Sequence, residues 1–167
     1  MPEKETIFSS KIKSSGIFSF KDFYKFCYDW LAEEPKLTVK EEKYDEKLAG
    51  DSKEIEIEWM GTKDITDYFK FKIKVKFKVQ NLKQVEVMQS GAKIKTNEGG
   101  VEVNVKGTLQ RDYKGKFERS ASQKFMRSVY EKWVIPSRIE EFQERLTSAC
   151  DTFLNQAKAW LDLEGKK

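Results

Sequence analysis

Lysine occupies every second position from Lys70 to Lys78, and Phe69, Phe71, Ile73, Val75, Phe77 and Val79 fill the alternate places. Such a row of ammonium groups on one strand face could hold a nucleic acid or an anionic membrane. Other chemistry is excluded at the outset. The chain has no histidine, so Ser-His-Asp and Cys-His catalysis and His-ligated metal sites are absent. Its two cysteines, Cys27 and Cys150, are too few and too far apart for a thiolate zinc site. They read as buried free thiols, although the sequence leaves a disulfide between them open. Acid–base catalysis by carboxylates or tyrosines is what remains, with Asp67, Tyr68, Asp112 and Tyr113 as candidates by side-chain type. None of them sits in a paired constellation, so the reading leans away from an enzyme, and no metal or cofactor is expected.

The lysine row also has a plainer explanation. Glu54, Glu56 and Glu58 alternate in the same way in the segment just before it, and Glu86 and Glu102 fall on outward positions further along. Opposed side chains of an antiparallel pair lie about 5 Å apart, and opposite charges there contribute roughly 0.2–1 kcal/mol. The row therefore reads as the wet face of a one-sided sheet, neutralised by a glutamate row. Its phenylalanines point the other way, so the stacking platform of single-strand binders is missing.

A second basic group lies between residues 111 and 138. Arg111, Lys114, Lys116, Arg119, Lys124, Arg127, Lys132 and Arg138 face only Asp112, Glu118 and Glu131. Eight minus three gives +5, which exceeds the net +4 of the whole chain. This stretch is a candidate surface for an anionic membrane or a nucleic acid. An ordinary amphipathic helix with its apolar face in the core accounts for the same residues.

These side chains need elements to hold them. A chain of 167 residues with 38% apolar content is of single-domain size and can bury a full core. Residues 5–14 read as a first strand. Ser19 is a candidate helix N-cap with Asp22 three residues later, and Phe18 and Phe23 are spaced as a hydrophobic staple. Phe20, Phe23, Tyr24, Cys27, Trp30 and Leu31 then follow the helical period until Pro35 ends it. Residues 37–48 begin as a strand, Gly50-Asp51 is a turn, and 54–59 and 68–79 alternate strictly. Val85, Val87 and Ile94 continue a meander, Asn97 to Gly100 signals a turn, and 101–113 alternates again. The period then switches to helical, over 122–134 and over 138–163, where Ile139, Phe142, Leu146, Cys150, Phe153, Ala157 and Leu161 form a stripe. The expected architecture is α+β: a curved antiparallel sheet of six to seven strands on a long C-terminal helix. The N-terminus lacks an apolar signal core and no long apolar run occurs, so the reading is cytoplasmic.

This order of elements resembles the helix-grip architecture of START-like proteins, in which a curved sheet grips a long C-terminal helix. The resemblance rests on strand 5–14, helix 20–33, the alternating strands Glu54–Trp59, Tyr68–Val79 and Val101–Tyr113, and helix Arg138–Leu163. It implies that Phe69, Phe71, Phe77 and Val103 face Trp59, Phe142, Leu146 and Phe153. It also implies that an apolar or amphipathic small molecule is carried among these eight residues. The same side chains would equally fill a solid core, and the sequence leaves the two open.

Overall fold

A computed structural model describes residues 3–66, 68–111 and 136–164, together with Phe125 and Val129. The elements in chain order are β1 (Glu3–Phe18), α1 (Phe20–Glu33), β2 (Thr38–Ala49), β3 (Ser52–Asp64), β4 (Phe69–Gln89), β5 (Ala92–Arg111) and α2 (Pro136–Glu164). The strands form an open antiparallel sheet in the order β1-β5-β4-β3-β2. The fold is α+β, with a C-terminal helix laid on the sheet. Among the described residues, no helix is long and apolar enough to cross a membrane.

The described strands number five, not six to seven, because segments expected to be separate strands are continuous. Val85 and Val87 belong to β4, and Ile94 belongs to β5. The hairpin reverses at Ser90-Gly91, where both residues have positive φ (52° and 81°), the backbone a two-residue type I′ loop demands. Asn97 to Gly100 does not turn. Gly99 instead lies against the opposite strand, where an added Cβ would stand 3.0 Å from the Gln80 carbonyl oxygen and from Leu82 Cα. Here β4 bulges: the pairing slips between Gln80 and Lys83, and Asn81 takes φ 55°. The side chain of Asn97 has another task. Its Oδ1 accepts the backbone N–H of Phe20 at 3.0 Å and so satisfies one of the first donors of α1.

The start of α1 follows the sequence. Ser19 Oγ accepts the N–H of Asp22 at 3.3 Å, and the rings of Phe18 and Phe23 meet edge to face at 5.9 Å. The helix links β1 to β2, which are opposite edges of the sheet. Four strand spacings are about 19 Å, and the 14 residues of α1 span about 21 Å at 1.5 Å each.

The alternation of β3, β4 and β5 creates one dry face. Ile55, Ile57 and Trp59, then Phe69 through Val79 in alternate positions, then Val101, Val103, Val105 and Leu109 are all buried. Helix α2 covers them with Phe142, Leu146, Cys150, Phe153, Leu154, Ala157 and Leu161. It comes close to the sheet at Gly107, where a Cβ would lie 2.8 Å from Cys150 Sγ and 3.3 Å from Leu146. Both cysteines are buried and free. Burial alone pushes the Cys150 thiol up to about 12 and the Cys27 thiol well above its ordinary value, so neither is poised as a nucleophile.

A polar seam closes the β2 edge. Tyr24 Oη donates to Glu41 at 2.7 Å and Trp59 Nε1 donates to the same oxygen at 3.1 Å. Desolvation, with the Glu41 carboxylate beside it, pushes the Tyr24 phenol up to about 12.

Two outcomes are expected. Gly107→Leu drives a side chain into Cys150 and Leu146 and lowers unfolding free energy by about 1–3 kcal/mol in urea titration. Adding Leu146→Ala to that variant recovers part of the loss. Failure of the second substitution to help would refute the seating of α2 at this glycine. The second outcome concerns alkaline pH. The folded phenol of Tyr24 has the higher pKa, so its contribution is complete below pH 10 and is lost as pH rises toward 12. Thermal melts across this interval should fall more steeply for the native chain than for Tyr24→Phe.

Candidate functional site

The expected pocket residues come together, but as a core. Trp59, Phe69, Phe77, Val103, Phe142, Leu146 and Phe153 are each 5% exposed or less. Their rings touch in pairs: Trp59 meets Phe77 at 4.8 Å, Phe69 meets Phe142 at 5.1 Å, and Phe153 meets Trp30 at 5.6 Å. Phe71, the eighth, also lines an open cleft.

That cleft has a volume of about 550 Å³, within the range of small-molecule sites. Three parts of the fold build it. The last turn of α1 supplies Trp30, and Glu34 and Pro35 follow directly after the helix. The sheet supplies Lys63 of β3 and Phe71 and Ile73 of β4. One stripe of α2, at helical spacing, supplies Glu141, Arg145, Ala149 and Thr152, with Glu144 and Ser148 beside them. The cleft exists because α2 carries small side chains, Ser148 and Ala149, where it passes the broad ring of Trp30.

Its polar groups are held in place. The Arg145 guanidinium lies 5.6 Å from the ring centroid of Phe142 and 5.9 Å from that of Phe71. An arginine laid over two rings gives up little of its hydrogen-bonding capacity and keeps donors for a ligand. Lys63 Nζ donates to the Pro35 carbonyl at 3.1 Å, which ties β3 to the end of α1. Three carboxylates and two cations share the lining, so its charged groups sum to −1. The floor of Trp30, Phe71, Ile73 and Ala149 is apolar, and the rim is charged. Such a lining takes an amphipathic molecule, apolar body inward and polar head at the rim.

Sequence reasoning missed most of these residues. In the sequence Trp30 reads as part of the core stripe of the first helix, and Lys63 falls between the alternating segments 54–59 and 68–79. A signal was present in Ala149, a small residue between Arg145 and Thr152 on the stripe beside the core, since a small residue there leaves room. Of the acid–base candidates, Tyr68 is buried, whereas Asp67, Asp112 and Tyr113 lie outside the described residues.

The basic group fares differently from the cleft. Arg111 ends β5 and donates to Glu5 of β1. Lys114, Lys116, Arg119, Lys124, Arg127 and Lys132 lie outside the described residues, as does most of the expected helix 122–134. Its Phe125 and Val129 are helical and exposed.

The lysine row of β4 meets its glutamates in part. Glu58 reaches Lys76 at 3.3 Å and Lys74 at 3.8 Å, and Asp64 reaches Lys70 at 3.8 Å. Glu56 turns the other way and bonds Lys43 of β2 at 3.0 Å, which holds its carboxyl below the ordinary range.

No protein-family model, curated protein or solved structure matches this chain.

Proposed function

We propose that the protein is a non-catalytic binding module that carries an apolar or amphipathic small molecule between its sheet and its C-terminal helix. The observation that carries this reading is the 550 Å³ cleft, with its floor of Trp30, Phe71, Ile73 and Ala149 and its rim of Lys63 and Arg145. The order of elements and the helix laid on an open antiparallel sheet support kinship with START-like helix-grip proteins, whose members hold apolar ligands in the corresponding place. In this chain the deep interior is occupied by its own aromatic rings. The ligand therefore sits at the mouth, where α1 ends and α2 passes over β4, and not along the length of the helix. Chemistry on the ligand is not called for: the two thiols are protonated and buried, and the carboxylates of the lining are a binding rim.

The test is native mass spectrometry on freshly purified protein, paired with titration by a fluorescent apolar anion. An added mass of a few hundred daltons that denaturation removes is expected. The dye should bind, and Ala149→Trp, which fills the cleft, should weaken it about tenfold, or roughly 1.4 kcal/mol. A bare mass together with equal dye binding by both proteins would rule out the cleft as a carrier site.

A further inference from the structure

Strict alternation along β4 would put Val79, Val85 and Val87 on one face, the face that α2 covers. The bulge at Asn81 prevents this. Pairing with β5 slips between Gln80 and Lys83, and a slip of one residue turns every later side chain to the other side of the sheet. Leu82 takes the buried place, at 5% exposure, so Lys83, Val85 and Val87 point away from the helices. On β5, Asn97 marks the helix side, since its side chain reaches the start of α1. Thr96 and Ile94 therefore alternate to the same side as the two valines. The register sets Val85 opposite Thr96 and Val87 opposite Ile94, with Lys83 opposite Glu98 at the base.

The bulge thus turns an apolar strip outward, onto the face that carries the lysine row. Ile94 is 39% exposed, Val85, Val87 and Thr96 are half-buried, and none of them belongs to the hydrophobic core or packs against it. β-Branched side chains on a pleated surface fit a second sheet face about 10 Å away. A bilayer fits less well, because the turn from Gln89 to Ala92 has no large apolar side chain to enter it. Charge names the partner. Lys83 and Glu98 are exposed, and among the described residues neither enters an ion pair. A copy of the chain related by a two-fold axis along the hairpin would lay its β5 over β4 and its β4 over β5. Each Lys83 then faces the Glu98 of the other copy, and each Val87 its Ile94. One operation matches both the apolar residues and the charges, as a self-complementary interface requires.

We propose that this strip joins two copies of the chain into a two-fold dimer, the outer β4–β5 hairpin of one packed face to face on that of the other. The strip holds four residues a side on these strands, against roughly 20–30 in a standard interface. The dimer is therefore weak and reversible. It lies on the face of the sheet opposite α1 and α2 and leaves the small-molecule cleft open.

Sedimentation velocity of the full chain, from micromolar to near-millimolar concentration, tests the proposal. A reversible monomer–dimer equilibrium is expected. Val87→Thr with Ile94→Thr keeps strand-forming residues at both places and should weaken the dimer at least about tenfold. Lys83→Glu and Glu98→Lys should each weaken it too, since each sets like charges across the two-fold axis. An equimolar mixture of these two variants should dimerise again, because each then faces its opposite. Damage to the fold of either variant could not produce that rescue. A chain that stays monomeric throughout, a dimer indifferent to the threonine pair, or a mixture that fails to re-associate would overturn the proposal. Flotation with anionic vesicles identifies the alternative occupant. Binding by a chain that stays monomeric, abolished by the threonine pair, assigns the strip to a membrane instead.

Discussion

The close seating of α2 on Gly107 is the constraint from which the rest of the molecule follows. A glycine there lets Cys150 and Leu146 reach the sheet, and a helix of 29 residues then lies along the dry face. Its large side chains fill the depth between helix and sheet. Its small ones, Ser148 and Ala149, fall where Trp30 approaches from α1, and there the packing opens into a cleft. Solid core and open cleft thus lie on neighbouring stripes of one helix, Phe142, Leu146, Cys150 and Phe153 filling the first and the smaller Ala149 leaving room on the second.

The second helix is constrained by connectivity. With β1 and β2 at opposite edges, the chain must cross the sheet once, and α1 has the length to do so. Its two ends are fixed by different means. Ser19 and Asn97 satisfy donors at the start, while Lys63 and Leu37 hold the exit, the latter through an N–H bond to the Leu31 carbonyl at 3.1 Å. Leu37 also lies against Gly61, where a Cβ would meet it at 2.8 Å. The cleft inherits this rigidity, since Trp30, Glu34 and Pro35 sit at that exit.

Local signals were legible where a residue's role is decided by near neighbours. The bounds of α1, its Ser19 cap and the Phe18–Phe23 staple could be read directly, as could the alternation that separates wet from dry faces. The turn at Asn97 to Gly100 misled because asparagine and glycine serve more than one purpose. Here one caps a distant helix and the other admits a bulge, and both uses depend on partners 77 or fewer residues away in sequence but fixed only by the fold. The cleft was hidden for the same reason, as Trp30, Lys63 and Arg145 share no sequence pattern. The lysine row was half understood: the glutamates are there, but Glu56 bonds diagonally to Lys43 and not to Lys78 opposite it, and register leaves Lys74 facing Lys106.

The bulge at Asn81 carries a further consequence. Beyond it, β3 no longer follows β4, its last pair being Lys53 with Leu82, and β1 leaves β5 at Phe18 with Asn97. From Val85–Thr96 to Gln89–Ala92 the two strands pair only with each other. Among the described residues this ribbon pairs with no third strand, its cross-strand pairs include Val87 with Ile94, and a two-stranded hairpin is marginal in water. It forms an arm whose amides can open to solvent without disturbing the sheet, a separate cooperative unit within one chain. Its edges carry Lys83, Glu86, Lys93 and Lys95, charges that discourage a neighbouring molecule from adding a strand to the arm.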